Sequence, residues 1–80
     1  MKLPRDIGGE ELVGLLKKYG YQVTRQTGSH IRLTTTLKGG HNITIPKHKP
    51  LKTGTLNSIL NDIAYYLKKE KKEIIEELFK

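Results

Sequence analysis

Three histidines, His30, His41 and His48, are the side chains best suited to proton transfer in this 80-residue chain. His30 follows Gly28 and Ser29 and is expected on a strand, pointing away from that strand's apolar residues. An imidazole can take a proton near neutral pH, and removing the proton of a ribose 2′-OH lets its oxygen attack the adjacent phosphate. His30 is therefore a candidate for catalysis of RNA cleavage, although an ordinary exposed histidine would fit the same pattern.

Positive charge is concentrated around these histidines. The chain has 15 Lys and Arg against 8 Asp and Glu, a net charge of +7. No acidic residue occurs between Leu12 and Asn61, a segment that holds eight cationic residues and all three histidines. Globular domains usually mix both signs on their surface, so this pattern favours a polyanionic partner such as nucleic acid. The alternative is a basic protein whose charge serves only solubility.

Residues around His30 and in the loop after Pro46 are the candidates for RNA binding. Lysines there can hold phosphate as point charges, and cations beside His30 would stabilise the charge that grows on the phosphate. The start of the second predicted helix, at residues 53–55, also offers N–H groups to an anion, although plain helix capping explains it more simply. The candidates are Gln26, Gly28, Ser29, Arg32, Lys47, His48, Lys49 and Lys52.

Several other classes of protein do not fit the composition. The chain has no cysteine, and His41 and His48 lack both a metal-ligand spacing and a nearby acidic residue, so no metal site is predicted. A chain this short has no room for a deep cofactor pocket. No signal peptide or membrane-spanning stretch is recognisable. We expect one cytoplasmic domain over residues 1–80, without cofactor or membrane contact.

The hydrophobic pattern predicts the element order α-β-β-β-α. Leucines at helical spacing predict a helix from about Gly9 to Tyr19. Alternating patterns predict strands near residues 21–26, 30–34 and 41–46. A second helix capped by Thr53 should break near Lys68, before a short helical extension. Three strands with one apolar face need cover, so we expect an α+β fold with the helices on one face of an antiparallel sheet.

The connection between the first two strands can be predicted from register, because paired residues lie on the same face of a sheet. A two-residue turn at residues 27–28 would place Val23 opposite the charged Arg32. A three-residue loop at residues 27–29 instead places Val23 opposite Leu33 and Thr24 opposite Arg32. It also gives Gly28 the left-handed conformation that glycine adopts easily. We therefore predict the three-residue loop.

The register of the third strand follows from the same matching of apolar residues. Matching apolar residues pairs Ile31 with Ile45, and this register places His30 beside Pro46. Pro46 has no N–H and is expected to end the strand. The polar face of the sheet would then carry Thr24, Gln26, His30 and Arg32.

Five sequence blocks together resemble the HicA toxins. They cover much of the chain from residue 2 to residue 63, and the pairing of a Gly-Ser-His block with a later Gly-Thr-Leu block is fairly specific. The blocks are KLPR at 2–5, YGY at 19–21, RQTGSH at 25–30, IPKH at 45–48 and LKTGTL at 51–56.

The resemblance implies a fold like that of double-stranded-RNA-binding domains and an activity as an mRNA interferase. It also implies that the histidine of the Gly-Ser-His block, His30, is catalytic, and that a HicB antitoxin covers the active face. We therefore expect a metal-independent endoribonuclease of a toxin–antitoxin system that acts on mRNA. The residues alone leave two alternatives open: an RNA-binding module without catalysis, and a protein that only contacts another protein.

Overall fold

The computed structural model describes residues 3–79, so Lys2 of the first block lies outside the described residues. The first helix continues into a 3-10 turn at Lys17–Tyr19, and a second such turn, Leu37–Gly39, precedes the third strand. The order confirms the predicted α-β-β-β-α arrangement with a helical extension. The elements are α1 (Gly9–Leu16), β1 (Gln22–Thr27), β2 (His30–Thr35), β3 (His41–Pro46), α2 (Thr53–Leu67) and α3 (Lys71–Phe79).

The three strands form an antiparallel sheet in the order β1-β2-β3. Ile31 pairs with Ile45 and His30 with Pro46, as predicted. Buried residues of β2 and β3 join the apolar faces of the three helices in one hydrophobic core. The helices therefore cover one side of the sheet. The other side, which we call the open face, carries His30 and Arg32.

The turn between β1 and β2 differs from the predicted one. Val23 pairs with Leu33 as expected, but Thr27 pairs with His30, so the turn contains only residues 28 and 29. A β-bulge between Val23 and Arg25 makes up the difference of one residue. Gly28 has the expected left-handed conformation, with φ of 54°.

The bulge decides which side chains of β1 lie on the open face. Arg25 pairs with Arg32, and Gln26 pairs with Ile31, whose side chain is buried. The predictions that Thr24 lies opposite Arg32 and that Gln26 shares the open face with His30 are therefore wrong. A bulge inserts one residue into one strand and shifts its alternation. Matching of apolar pairs predicts the register only where a strand alternates without interruption.

The ends of α2 partly match the sequence analysis. Lys52, in extended conformation, is the residue that precedes the helix, so the predicted cap at Thr53 is wrong by one residue. The helix ends at Leu67 because Lys68 adopts a left-handed conformation with φ of 56°, and this confirms the predicted break. Among residues 3–79, no helix is long and apolar enough to cross a membrane.

Candidate functional site

His30 lies at one corner of the open face. It is the first residue of β2, and its side chain is exposed. Thr27 of β1 and Pro46 of β3 are its partners in the sheet, so His30 occupies the middle strand at the end where β3 runs into the following loop. We call this end of the sheet the His30 end. The location leaves the imidazole accessible to a large substrate.

The loop after β3, which we call the basic loop (residues 47–52), is attached to the His30 end through its backbone. The Lys47 N–H donates to the Ser29 carbonyl at 2.6 Å. The Gly9 N–H donates to the His48 carbonyl at 2.8 Å. Because these bonds use main-chain atoms, the charged side chains of the loop stay exposed. The Gly-Ser-His block and the basic loop thus form one continuous surface.

Gly9 brings helix α1 into contact with the same loop. A methyl group on Gly9 would lie 2.0 Å from the Pro46 carbonyl oxygen and 3.3 Å from the Lys47 Cα. No side chain fits at such a separation from backbone atoms, and only glycine permits this approach. The first turn of α1 therefore sets the path of the chain as it leaves β3.

Two arginines face each other on the open face next to His30. Arg25 pairs with Arg32, both are exposed, and Arg32 lies two residues from His30 on the same strand and face. Neither arginine forms an ion pair within residues 3–79. Like charges directly opposite each other destabilise a sheet. A bound phosphate would remove that repulsion and use the bidentate donors of both guanidinium groups.

Arg25 is a candidate site residue that the sequence analysis missed. An uninterrupted alternation puts it on the side of Val23, towards the core, and only the bulge turns it to the open face. No local feature of residues 22–27 distinguishes the two arrangements. The one available signal was the cost of burying an arginine without a partner.

The remainder of the open face is polar and uncovered. The hydroxyl groups of Thr24 and Thr34 lie 2.9 Å apart, and Thr34 Oγ1 donates to Asn42 Oδ1 at 2.6 Å. These contacts connect all three strands with side chains that stay at least partly accessible. An extended polar ligand can therefore lie across the sheet without displacing any apolar residue.

Most of the predicted RNA-binding residues lie at the His30 end. Gln26 lies at the same end of the sheet but not on the open face, because its partner is the buried Ile31. Lys49 Nζ lies 3.7 Å from Glu11 Oε1, a surface pair that offsets little of its charge. All eight predicted RNA-binding residues are exposed: Gln26, Gly28, Ser29, Arg32, Lys47, His48, Lys49 and Lys52.

His41 lies at the opposite end of the sheet, which we call the His41 end, and has a structural role. Its Nδ1 is 2.7 Å from the Tyr21 hydroxyl, its Nε2 is 3.5 Å from Asp62 Oδ2, and its ring stacks on Tyr66 at 4.3 Å. Burial, followed by the charge of Asp62, raises the pKa of Tyr21 to about 12. Tyr21 thus stays protonated at neutral pH. Within residues 3–79, no three His, Asp or Glu side chains are grouped to hold a metal ion.

Comparison with protein-family models identifies the family of the chain. Residues 9–64 match the model described as HicA toxin of bacterial toxin–antitoxin systems. The match runs from the start of α1 into α2 and includes His30, Arg25, Arg32 and the basic loop. Comparison with curated proteins and with solved structures gives no significant match. Since the family model covers more than half of the 80 residues, the chain belongs to the HicA toxin family.

Proposed function

We propose that this toxin is an endoribonuclease that cleaves mRNA with His30 as its catalytic residue. The observation that carries the proposal is the exposed His30 on the open face, flanked by the Arg25–Arg32 pair and by the basic loop. This arrangement combines a proton acceptor with cations that have no ion-pair partner among the described residues, apart from Lys49. Membership of the HicA toxin family supports the same activity.

The proposed reaction is an internal transesterification. Neutral His30 accepts the proton of the ribose 2′-OH, and the oxygen attacks the adjacent phosphorus. The bond from phosphorus to the 5′-oxygen breaks, and that oxygen takes up a proton from water, whose remaining hydroxide is neutralised by the proton held on His30. The products are a 2′,3′-cyclic phosphate and a 5′-hydroxyl end. Arg25 and Arg32 would hold the phosphate oxygens as negative charge accumulates on them.

The basic loop would bind the phosphates that flank the cleaved bond. Lys47, Lys49 and Lys52 are exposed lysines that can act as point charges, and His48 adds a donor. Gly28 and Ser29 form the turn over which the RNA strand would pass. Each phosphate that is neutralised contributes about −0.7 to the slope of log affinity against log salt for a single strand. Charge reversal of Lys47 and Lys49 should flatten that slope.

The decisive experiment is product analysis on a defined RNA in excess chelator. Wild-type protein should release fragments ending in 2′,3′-cyclic phosphate, and His30→Ala should lose about 10²–10⁴-fold in rate. Because His30 is exposed, the variant should keep its melting temperature. His48→Ala, which removes another exposed histidine, should raise KM at most. Cleavage by His30→Ala at the wild-type rate would refute the assignment, and RNA binding without any cleavage would favour a binding module.

We further propose that a HicB-type antitoxin covers the His30 end. The acid-free segment between Leu12 and Asn61 favours an acidic partner, since complementary charge speeds association and fixes orientation. An mRNA substrate places both proteins in the cytoplasm. In the complex, amide exchange across residues 26–32 should slow and cleavage should stop. A partner that protects only α3 and leaves cleavage intact would contradict this interpretation.

A further inference from the structure

A second basic cleft lies at the His41 end, about as far from His30 as the sheet allows. It forms where the C-terminal end of α2 meets the loop between β2 and β3. Its volume of about 840 Å³ falls within the range of ligand-binding clefts. The cleft is lined by Lys38, Ala64, Tyr65, Tyr66, Lys68 and Lys69.

Two adjacent tyrosines in this cleft are used differently. The Tyr66 hydroxyl donates to the Leu37 carbonyl and accepts from the Gly40 N–H at 2.8 Å, which fixes the loop to α2. Tyr65, by contrast, is 87% exposed, the most exposed large hydrophobic side chain among residues 3–79. An aromatic ring exposed to this degree offers a face on which a base can stack.

Two lysines of the cleft have an unusual backbone. Lys38 has φ of 52° and Lys68 has φ of 56°, and within residues 3–79 they are the two non-glycine residues with positive φ. Glycine or asparagine adopts this conformation at lower cost. At Lys38 the Nζ donates to the Leu67 carbonyl at 3.1 Å. At Lys68 the left-handed conformation ends α2, where the Lys68 and Lys69 N–H groups donate to the Tyr65 and Ala64 carbonyls.

The third lysine of the cleft is already engaged, which isolates the contribution of Lys68. Lys69 Nζ contacts both carboxylate oxygens of Glu77, at 2.8 and 2.9 Å. Lys68 is exposed and forms no ion pair in the part of the chain that the structure describes. Its ammonium group is free to bind an anion next to the exposed ring of Tyr65.

We propose that this cleft is a second contact site for single-stranded RNA, in which Tyr65 stacks on a base and Lys68 binds a neighbouring phosphate. The proposal rests on the proposed function, because the same RNA would reach from the His30 end to the cleft. Strand β2 has six residues and spans roughly 17–20 Å. Only an RNA of several nucleotides can therefore occupy both sites. An acidic peptide would be drawn to the lysines but would gain less from the ring.

Binding measurements on the inactive full chain, His30→Ala, test the proposal. Labelled RNAs of about 4 and about 16 nucleotides provide a short and a long ligand. Adding Tyr65→Ala should weaken binding of the long RNA by roughly 5- to 100-fold, the range for loss of one stacked base, and leave the short RNA unaffected. Tyr65→Phe keeps the ring and should bind as the parent does.

Lys68→Gly gives an independent test, because glycine accepts the left-handed backbone and removes the ammonium group together with its aliphatic stem. It should reduce the salt slope for the long RNA by about 0.7, the value for one phosphate contact on a single strand. Tyr65→Ala changes an exposed side chain and should keep the parent melting temperature, whereas Lys68→Gly should keep or raise it, because glycine adopts the left-handed backbone at lower cost. Unchanged affinity of Tyr65→Ala for the long RNA would overturn the proposal. So would a Tyr65→Ala variant that loses antitoxin binding but not RNA binding.

The two proposals fail in different ways. If the wild-type protein does not cleave RNA but the long RNA still depends on Tyr65, the cleft is confirmed and the nuclease assignment is refuted. If cleavage depends on His30 while the KM values for short and long RNA are equally unaffected by Tyr65→Ala, the nuclease assignment stands and the cleft proposal falls.

Discussion

The two ends of the sheet are stabilised by different kinds of contact. At the His30 end, the basic loop is fixed by backbone bonds from Lys47 to Ser29 and from Gly9 to His48. At the His41 end, side chains make the connections: the Tyr66 hydroxyl bonds the loop after β2, and His41 contacts Tyr21 and Asp62.

This difference explains which side chains are accessible. Side chains that hold the fold together are occupied and partly buried, whereas backbone bonds leave side chains free to meet a substrate. His30 and the lysines of the basic loop are exposed because main-chain atoms and Gly9 do the structural work around them. His41 has the same imidazole, but its neighbours already use both ring nitrogens. Residue type alone therefore does not show which histidine is accessible to a ligand.

Gly9→Ala should have the largest effect, because it disrupts the close backbone contact between α1 and the start of the basic loop. The new methyl group would lie 2.0 Å from the Pro46 carbonyl oxygen, so α1 or the loop must move. We expect a loss of about 1–3 kcal/mol or more in unfolding free energy, together with reduced RNA cleavage. Denaturant unfolding and cleavage rate measure the two effects.

Gly14→Ala is the matched control, since no atom lies within 4 Å of the position that its methyl group would occupy in α1. This variant should gain about 0.4–1 kcal/mol in stability and keep full activity. Equal stability of the two alanine variants would show that the contact of Gly9 with Pro46 does not determine the loop path.

Thr35→Val should have an intermediate effect and act only on the His41 end. Thr35 is 1% exposed, and its hydroxyl donates to the Tyr19 carbonyl at 3.0 Å and accepts from the Leu37 N–H at 3.2 Å. Valine has the same shape but leaves both groups unpaired, which costs about 1–3 kcal/mol. Cleavage at temperatures well below the melting point should not change, because His30 lies at the other end of β2.

Thr44→Val tests the same substitution on the exposed face of β3. Stability should change by less than about 0.5 kcal/mol there, as is usual for surface positions. If Thr35→Val lowered the cleavage rate of folded protein, the two ends of the sheet would be coupled and not independent.

Glu77 should give the smallest effect, visible in the dependence of stability on pH. Hydrogen bonds from Lys69 and then from the Tyr19 hydroxyl lower the pKa of this carboxyl in the folded protein. A lowered pKa means that the contribution is fully present above the unfolded value, about 4.3, and is lost as pH falls through the folded value. The melting-temperature difference between wild type and Glu77→Gln should therefore shrink on acidification below about pH 4. A difference that stays constant would exclude this linkage.

The sequence predicts the element order and most of the register, because apolar periodicity and matching of apolar pairs determine both. The break at Lys68 also follows from the change in pattern after Leu67. The bulge in β1 cannot be predicted in this way, because Val23 pairs with Leu33 with or without it. Only the residues between Val23 and the turn change partners. The placements of Arg25 and Gln26 depend on that bulge and were therefore not predictable from alternation.

Contacts between distant segments could not be predicted from the sequence either. Two such contacts, between Gly9 and Pro46 and between His41 and Asp62, join residues far apart in the chain. A sequence pattern describes the neighbours along one element, but these contacts depend on how elements pack. The candidate site was found because His30 and the basic loop follow from register, whereas Tyr65 carries no signal until its exposure is known.

The bulge in β1 also bears on how this protein behaves at high concentration. Strand β1 lies at the edge of the sheet, and all six of its residues are exposed. A long, flat edge of this kind invites strand pairing with another copy and eventual aggregation. The irregularity between Val23 and Arg25 interrupts the row of unpaired N–H and C=O groups, and Arg25 adds charge beside it. The same feature that turns Arg25 towards the open face thus makes edge-to-edge aggregation less favourable.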